Sequence, residues 1–317
     1  MAIFDLSKFT KPAAVLTKAA AGTPVSGSLL FAVSNSGLGT SPVNEISTNI
    51  IAPNGYPAHN LNFQISVNAA TTSTSAVTTN PIEQLFQLTL SGASVDVLAQ
   101  INGVNGEFTR WQHRLNTNGV YEASPTISIP ASGNATATWN FSLQHLPIPT
   151  SEFPLTAKLT IAPLSQLGSG VSSATLQSFT MSADFSPTAA LPVKLRTKLV
   201  PTGTGIEDFG SYVDRAQIYD LSMDVAADTN LNSTNSFYLA VNNNSLIPYA
   251  SYESIITDEQ NIYPIPTPHI NGFFPFMVAT KTSINGTQNV SLKANIATLP
   301  SIGGNSNVVN LYMMEGY

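Results

Sequence analysis

Strict alternation of apolar and polar residues, repeated in run after run, is the feature that most restricts what this chain can fold into. Leu61, Phe63, Ile65 and Val67 alternate with Asn62, Gln64 and Ser66. Phe86, Leu88 and Leu90 follow, then Val95, Val97, Ala99 and Ile101. Ala137, Trp139, Phe141 and Leu143 fall on one side of a further run, with Thr136, Thr138, Asn140 and Ser142 on the other. Leu155, Ala157, Leu159 and Ile161, then Phe179, Met181, Ala183 and Phe185, complete a first block. Each run gives way to a turn cluster such as Asn102-Gly103, Asn105-Gly106 or Ser132-Gly133. A period of two is the pitch of a half-buried strand, and one buried face per strand predicts antiparallel sheets packed in a sandwich, not a parallel α/β fold.

The stretch SPTAALPVKLRTKLVPTGTG, residues 186 to 205, has a different texture, with three prolines and three basic residues. It reads as a connector holding a short extended piece from Val193 to Leu199. Alternation then restarts. Tyr219, Leu221, Met223 and Val225 share a face, as do Phe237, Leu239 and Val241. Phe274, Phe276 and Val278 follow, then Val290, Leu292, Ala294 and Ile296, and finally Val309, Leu311 and Met313. Each block has room for about eight strands, the size of a jelly roll. The expected organisation is an arm over residues 1–24, a first roll over 25–190, a linker over 191–205 and a second roll over 206–317. The fold class is therefore all-β, two tandem eight-stranded jelly-roll sandwiches behind a short helical or extended N-terminal arm.

Within the first block, Trp139 and Phe141 are expected in the structural core, where large rings bury much area, with Pro147 and Pro149 turning the chain toward the next strand. Helical signal is scarce. The arm offers one amphipathic arrangement, with Leu6, Phe9, Ala13, Leu16 and Ala20 opposite Lys8, Lys11 and Lys18. A disordered tail is the competing reading. Phe4, Lys8, Phe9, Lys11 and Lys18 are the residues with which such an arm would meet a membrane surface or a neighbouring subunit.

Charge narrows the function classes. Only 9% of residues are Asp, Glu, Lys or Arg, against a usual share of about 25%. Ser, Thr and Asn take their place, a composition suited to a protein whose sides are covered by copies of itself. The net charge is −6, and no basic block exists to neutralise phosphates, so direct sequence-specific nucleic-acid binding is not expected. The absence of cysteine excludes disulfides, thiol catalysis and cysteine-ligated zinc. The N-terminus is read as retained, because Asp5 and Lys18 break the pattern of a signal peptide.

No catalytic constellation is legible. The four histidines, His59, His113, His145 and His269, lie far apart in sequence, and no nucleophile elbow, zinc-protease motif or P-loop occurs. Neither metal nor cofactor is expected. The acidic pair Asp258-Glu259, read as a loop, and Asp220 with Asp224 on one strand face are weak calcium candidates beside their ordinary reading as solvated acids. The densest polar group is GEFTRWQHRL, residues 106 to 115. Strand geometry would split Arg110 from His113, whereas helical spacing would gather Arg110, His113 and Arg114. Arg and Trp anchor many protein interfaces, so Arg110, Trp111 and Arg114 are subunit-interface candidates.

Two strand blocks of this size, the connector and the basic arm resemble the double jelly-roll major capsid proteins of tailless icosahedral viruses with an internal membrane. The first block carries the resemblance in LNFQISVNA, NPIEQLFQLTLSG, SVDVLAQING, ASGNATATWNFSLQHLPIP and FPLTAKLTIAP. In the second block, NVVNLYMMEGY resembles the closing strand. Residues 30–58 and 245–272 are not placed by it. The resemblance implies a non-enzymatic subunit that forms homotrimers of pseudo-hexagonal outline and tiles a virion shell. Its implied partners are itself, neighbouring capsomers, minor capsid or vertex proteins, and membrane lipids met by the arm. Assembly would take place in the host cytoplasm. The alternative is a carbohydrate- or receptor-binding tandem sandwich, a spike or adhesin, with Tyr249, Tyr252 and Tyr263 stacking on sugars.

Overall fold

A computed structural model describes residues 24–115, 122–144, 148–187, 193–210, 218–225, 228–232, 234–260, 272–276, 289–302 and 304–316. Its strands, in chain order, are β1 (Val25–Gly37), β2 (Val43–Ile50), β3 (Ala58–Ala70), β4 (Val77–Thr78), β5 (Phe86–Ser91) and β6 (Ala99–Asn102). Helix α1 (Glu107–Leu115) comes next, followed by β7 (Ser128–Ile129), β8 (Asn134–Leu143), β9 (Leu155–Ile161) and β10 (Ser173–Phe185). The second half holds β11 (Val193–Pro201), β12 (Gly205–Asp208), β13 (Ile218–Asp224), β14 (Phe237–Val241), β15 (Asn244–Ala250) and helix α2 (Tyr252–Gln260). It closes with β16 (Phe273–Pro275), β17 (Val290–Ile296), β18 (Ser301–Ile302), β19 (Asn305–Ser306) and β20 (Val308–Gly316).

Three large sheets organise these strands. One has the order β1-β10-β3-β8, and another β12-β17-β14-β15. Between them runs an eight-stranded sheet, β16-β13-β20-β11-β6-β5-β9-β2. Its β6-β5-β9-β2 part comes from the first half of the chain and packs on β1-β10-β3-β8; its β16-β13-β20-β11 part comes from the second half and packs on β12-β17-β14-β15. The alternating residues form the two cores. In the first, Phe63 stacks on Phe141 at 4.7 Å, while Phe179 reaches across to Phe86 at 5.4 Å. In the second, Phe237 meets Phe274 at 4.3 Å. Trp139 is fully buried and stacks on Phe141 at 3.9 Å, and its indole N–H donates to the Glu122 carbonyl at 3.1 Å.

Several local expectations change. Residues 25–50 form two edge strands without apolar–polar alternation: a register shift in β1 buries both Leu30 and Phe31, and β2 turns Glu45 and Ser47 to its less exposed face while Ile46 is exposed. Of the run from Val95 to Ile101, only Ala99 onward is strand. Residues 107–115 are a helix, with Glu107 in its first turn and His113 and Arg114 in its last, an order that complements the helix dipole. Asp258 and Glu259 lie on α2, not in a loop. The expected linker is largely β11, a nine-residue strand that joins the two halves of the central sheet. Leu195 N–H of β11 donates to the Leu98 carbonyl at 2.8 Å, beside the single parallel bridge from Leu195 to Ala99.

Candidate functional site

The junction between the halves collects an unusual share of the few charged residues. Helix α1 enters it because the preceding turn leaves no room for side chains. A Cβ on Gly103 would sit 1.7 Å from the Glu83 carbonyl oxygen. Gly106 has φ +80°, and a Cβ there would lie 2.7 Å from the Arg110 guanidinium. Glu83 is thereby held under the helix, where its carboxylate accepts from the Thr109 N–H at 3.0 Å and the Thr109 hydroxyl at 2.8 Å.

From α1, Arg110 Nε lies 2.5 Å from Asp224 Oδ2 on β13, and Arg110 Nη1 donates to the Asn105 carbonyl. Glu107 gathers three elements. Its Oε2 accepts from the Asn102 N–H at 2.7 Å and from the Thr197 hydroxyl of β11 at 3.4 Å. Its Oε1 accepts from Asn310 Nδ2 of β20 at 3.0 Å. Trp111 packs edge-on to Tyr312 at 5.6 Å, which meets Phe273 at 5.5 Å, and His113 meets Phe273 at 5.9 Å. Further along the same sheet, buried Glu315 is flanked by Lys194 Nζ at 3.3 Å and Arg196 Nε at 3.5 Å.

Burial dominates the proton affinities here. Desolvation pushes Glu83 up to about 7, against the hydrogen bonds from Thr109 and the charge of Arg110. It pushes Glu107 up to about 8, against the Asn102, Asn310 and Thr197 bonds. Asp224 rises to about 6, because burial outweighs its ion pair with Arg110. Burial thus opposes ionisation of all three carboxyl groups, and the charge of Arg110 is the foremost opposing cause only at Asp224.

Arg110, Trp111 and Arg114 are therefore brought together by α1, but inside one chain. Trp111 and Arg114 are buried and Arg110 is nearly so, which leaves little of them for a neighbouring subunit to contact. Arg110 and Trp111 join two halves of one molecule, through Asp224 and Tyr312. Trp139 and Phe141 sit in the first core. Phe4, Lys8, Phe9, Lys11 and Lys18 lie outside the described residues. Asp224, considered for calcium, is instead the partner of Arg110; among the described residues, no group of three or more His, Asp or Glu is placed to hold a metal ion. Of the sugar-stacking tyrosines, Tyr252 is buried, Tyr249 is exposed with its ring 5.1 Å from Tyr238, and Tyr263 lies outside the described residues. Glu83, Thr197, Asn310, Tyr312 and Glu315 were not singled out from sequence. No motif marks them, and their meeting depends on the pairing of distant strands.

A second feature lies on the surface. Leu29 on β1 (63% exposed), Ile46 on β2 (60%) and Ile206 on β12 (66%) all project from edge strands. Tyr249 and Leu246, also exposed, occupy the edge strand β15. Ile51 follows β2 at 75% exposure, beside an open cleft of about 630 Å³ lined by Ala52, Phe153 and Pro154. Among the described residues, no helix is long and apolar enough to cross a membrane.

No family model and no curated protein matches the sequence. Solved structures do match, and the fold they share with this chain is the double jelly roll of viral major capsid proteins. The chain is similar to the major capsid protein of STIV, at a TM-score of 0.63 and 14% identity over 93% of this chain and 97% of that one. It is similar also to the major capsid protein P2 of bacteriophage PM2, at a TM-score of 0.52 and 9% identity over 89% and 98% of the two chains. PBCV-1 VP54 aligns at a TM-score of 0.51 and 11% identity over 90% and 92%. At such identities the likeness is one of fold.

Proposed function

We propose that this chain is a major capsid protein, a structural subunit without enzymatic activity whose work is to pack against copies of itself in a virion shell. The observation that carries this reading is the near end-to-end fold match to capsid proteins. The surface supports it. Large exposed apolar residues on sheet edges are a liability in a solitary protein, since open edges invite further pairing and packing. They suit a subunit whose flanks are covered on assembly. The low charge content fits the same role.

In the fuller form of the proposal, three chains form a homotrimer with a pseudo-hexagonal outline, and trimers tile an icosahedral shell around an internal membrane. The arm, with three of the chain's twelve basic residues in its first 18 positions, meets the lipid. Each lysine at an anionic surface contributes on the order of 1 kcal/mol, which many copies multiply into firm, salt-sensitive attachment. Minor capsid or vertex proteins complete the particle, which assembles in the host cytoplasm. Electron microscopy of the purified chain, with and without anionic vesicles, tests this. Hexagonally packed arrays or shells are expected; dispersed single chains under all conditions would contradict it.

A further inference from the structure

We propose that the open cleft beside Ile51 is the docking site of this chain's own N-terminal arm, which lays the apolar stripe of Leu6, Phe9, Ala13, Leu16 and Ala20 against Ile51, Phe153 and Pro154. The proposal concerns contacts within one chain and does not rest on shell formation.

An apolar surface and an apolar stripe lie within reach of each other. The cleft, of about 630 Å³, is framed by the end of β2 and the start of β9, where Ile50 pairs with Leu155. Ile51, the residue after β2, is 75% exposed although it lines the cleft with Ala52, Gly55, Phe153 and Pro154; Asn49 and Thr150 supply the polar share. A single apolar side chain in water is ordinary, but one set in a mostly apolar concavity marks a surface that a partner covers. The arm joins the fold at that same place. Pro24 is the first described residue, and Val25, which opens β1, pairs with Phe185. The Phe185 ring lies 5.8 Å from the ring of Phe153 in the cleft wall. One strand pair and one ring contact therefore separate the root of the arm from the cleft.

Length and tether favour the chain's own arm over any other occupant. From Leu16 to Val25 the chain spans about 13 Å wound as a helix and about 30 Å extended, so the stripe reaches the cleft in either form. Gly22 and Pro24 stand between arm and strand, residue types that end a helix and let the chain turn back. A short tether presents the stripe at an effective concentration of the order of millimolar, which a separate partner rarely matches. Docking the stripe turns Lys8, Lys11 and Lys18 outward, where they stay available to an anionic surface. Among the described residues both cores are built from later positions, so the contact is local and opens without unfolding either core.

The chain has no cysteine of its own, so disulfide trapping reads the contact directly. Ile51→Cys is combined in turn with Leu6→Cys, Phe9→Cys or Leu16→Cys on the stripe, and with Lys8→Cys, Lys11→Cys or Lys18→Cys on the opposite side. Oxidation is followed on the dilute full-length chain without lipid. A mere tether would link both sides at similar rates. Docking predicts an intrachain disulfide from at least one stripe position at least about tenfold faster than from any lysine position, because only the seated side holds its thiol at the cleft. Thr150→Cys, in the same cleft, serves as a second reporter should Ile51→Cys remove too much of the apolar wall. A difference below about tenfold at both reporters, or disulfides formed only between chains, would overturn the proposal.

Discussion

Arg110 Nε lies 2.5 Å from Asp224 Oδ2, and this ion pair fastens a helix of the first half to a strand of the second. Both side chains are withdrawn from water, so each depends on the other for compensation. Replacing Arg110 by Met leaves Asp224 alone in the seam and is expected to lower stability by about 3–5 kcal/mol. Replacing both, with Asp224→Leu added, should cost less than the sum of the two single changes. A double-mutant cycle by urea denaturation reads the coupling, and strict additivity would show that the pair is not coupled.

The Trp139 indole lies 3.9 Å from the Phe141 ring and donates to the Glu122 carbonyl, with no exposure to solvent. Trp139→Ala removes this ring from a packed face and is expected to cost about 3–5 kcal/mol. Chemical denaturation measures it; a change below about 1 kcal/mol would mean that the face repacks freely around the missing ring.

Deleting residues 1–20 should leave thermal stability and self-association intact, because the arm is assigned to lipid contact and, among the described residues, the two cores are built from later positions. Flotation with anionic vesicles should lose most of the bound protein, and the wild-type binding should weaken with added salt. Failure of the truncated chain to fold would assign the arm to the core.

Ile46 and Ile206 project from edge strands in the two halves. Ile46→Lys and Ile206→Lys should each change stability by less than about 0.5 kcal/mol, since the side chains are largely in water already. Self-association should nevertheless fall at least tenfold in sedimentation equilibrium. Unchanged association in both variants would move the assembly contacts elsewhere.

The strands that were legible from the sequence are those with one clean buried face, such as β3, β8, β10 and β17, whose inner residues are all apolar. The edge strands β1 and β2 were not legible, because a register shift in β1 buries consecutive Leu30 and Phe31, and in β2 the less exposed face carries Glu45 and Ser47 while Ile46 faces out. Helix α1 hid for a different reason. Its buried residues include Glu107, Thr109, Gln112, His113 and Arg114, so a burial pattern drawn from apolar residues alone misses it. The grouping of Arg110 with His113 and Arg114 could be read from helical spacing, but not their location in an intramolecular seam. That location depends on Asp224, Asn310 and Tyr312, which reach α1 only because β11 joins the two halves of the central sheet. The connector could be recognised by its prolines and glycines, whereas its pairing with β6 and β20 is a long-range event with no local signal.

Sedimentation equilibrium of the purified chain tests the central claim most directly. A subunit built to tile a shell from trimers should give a mass of about 100 kDa, three times the 33.5 kDa chain, over a broad concentration range. A mass of 33.5 kDa at every concentration, with the fold intact, would contradict the assignment.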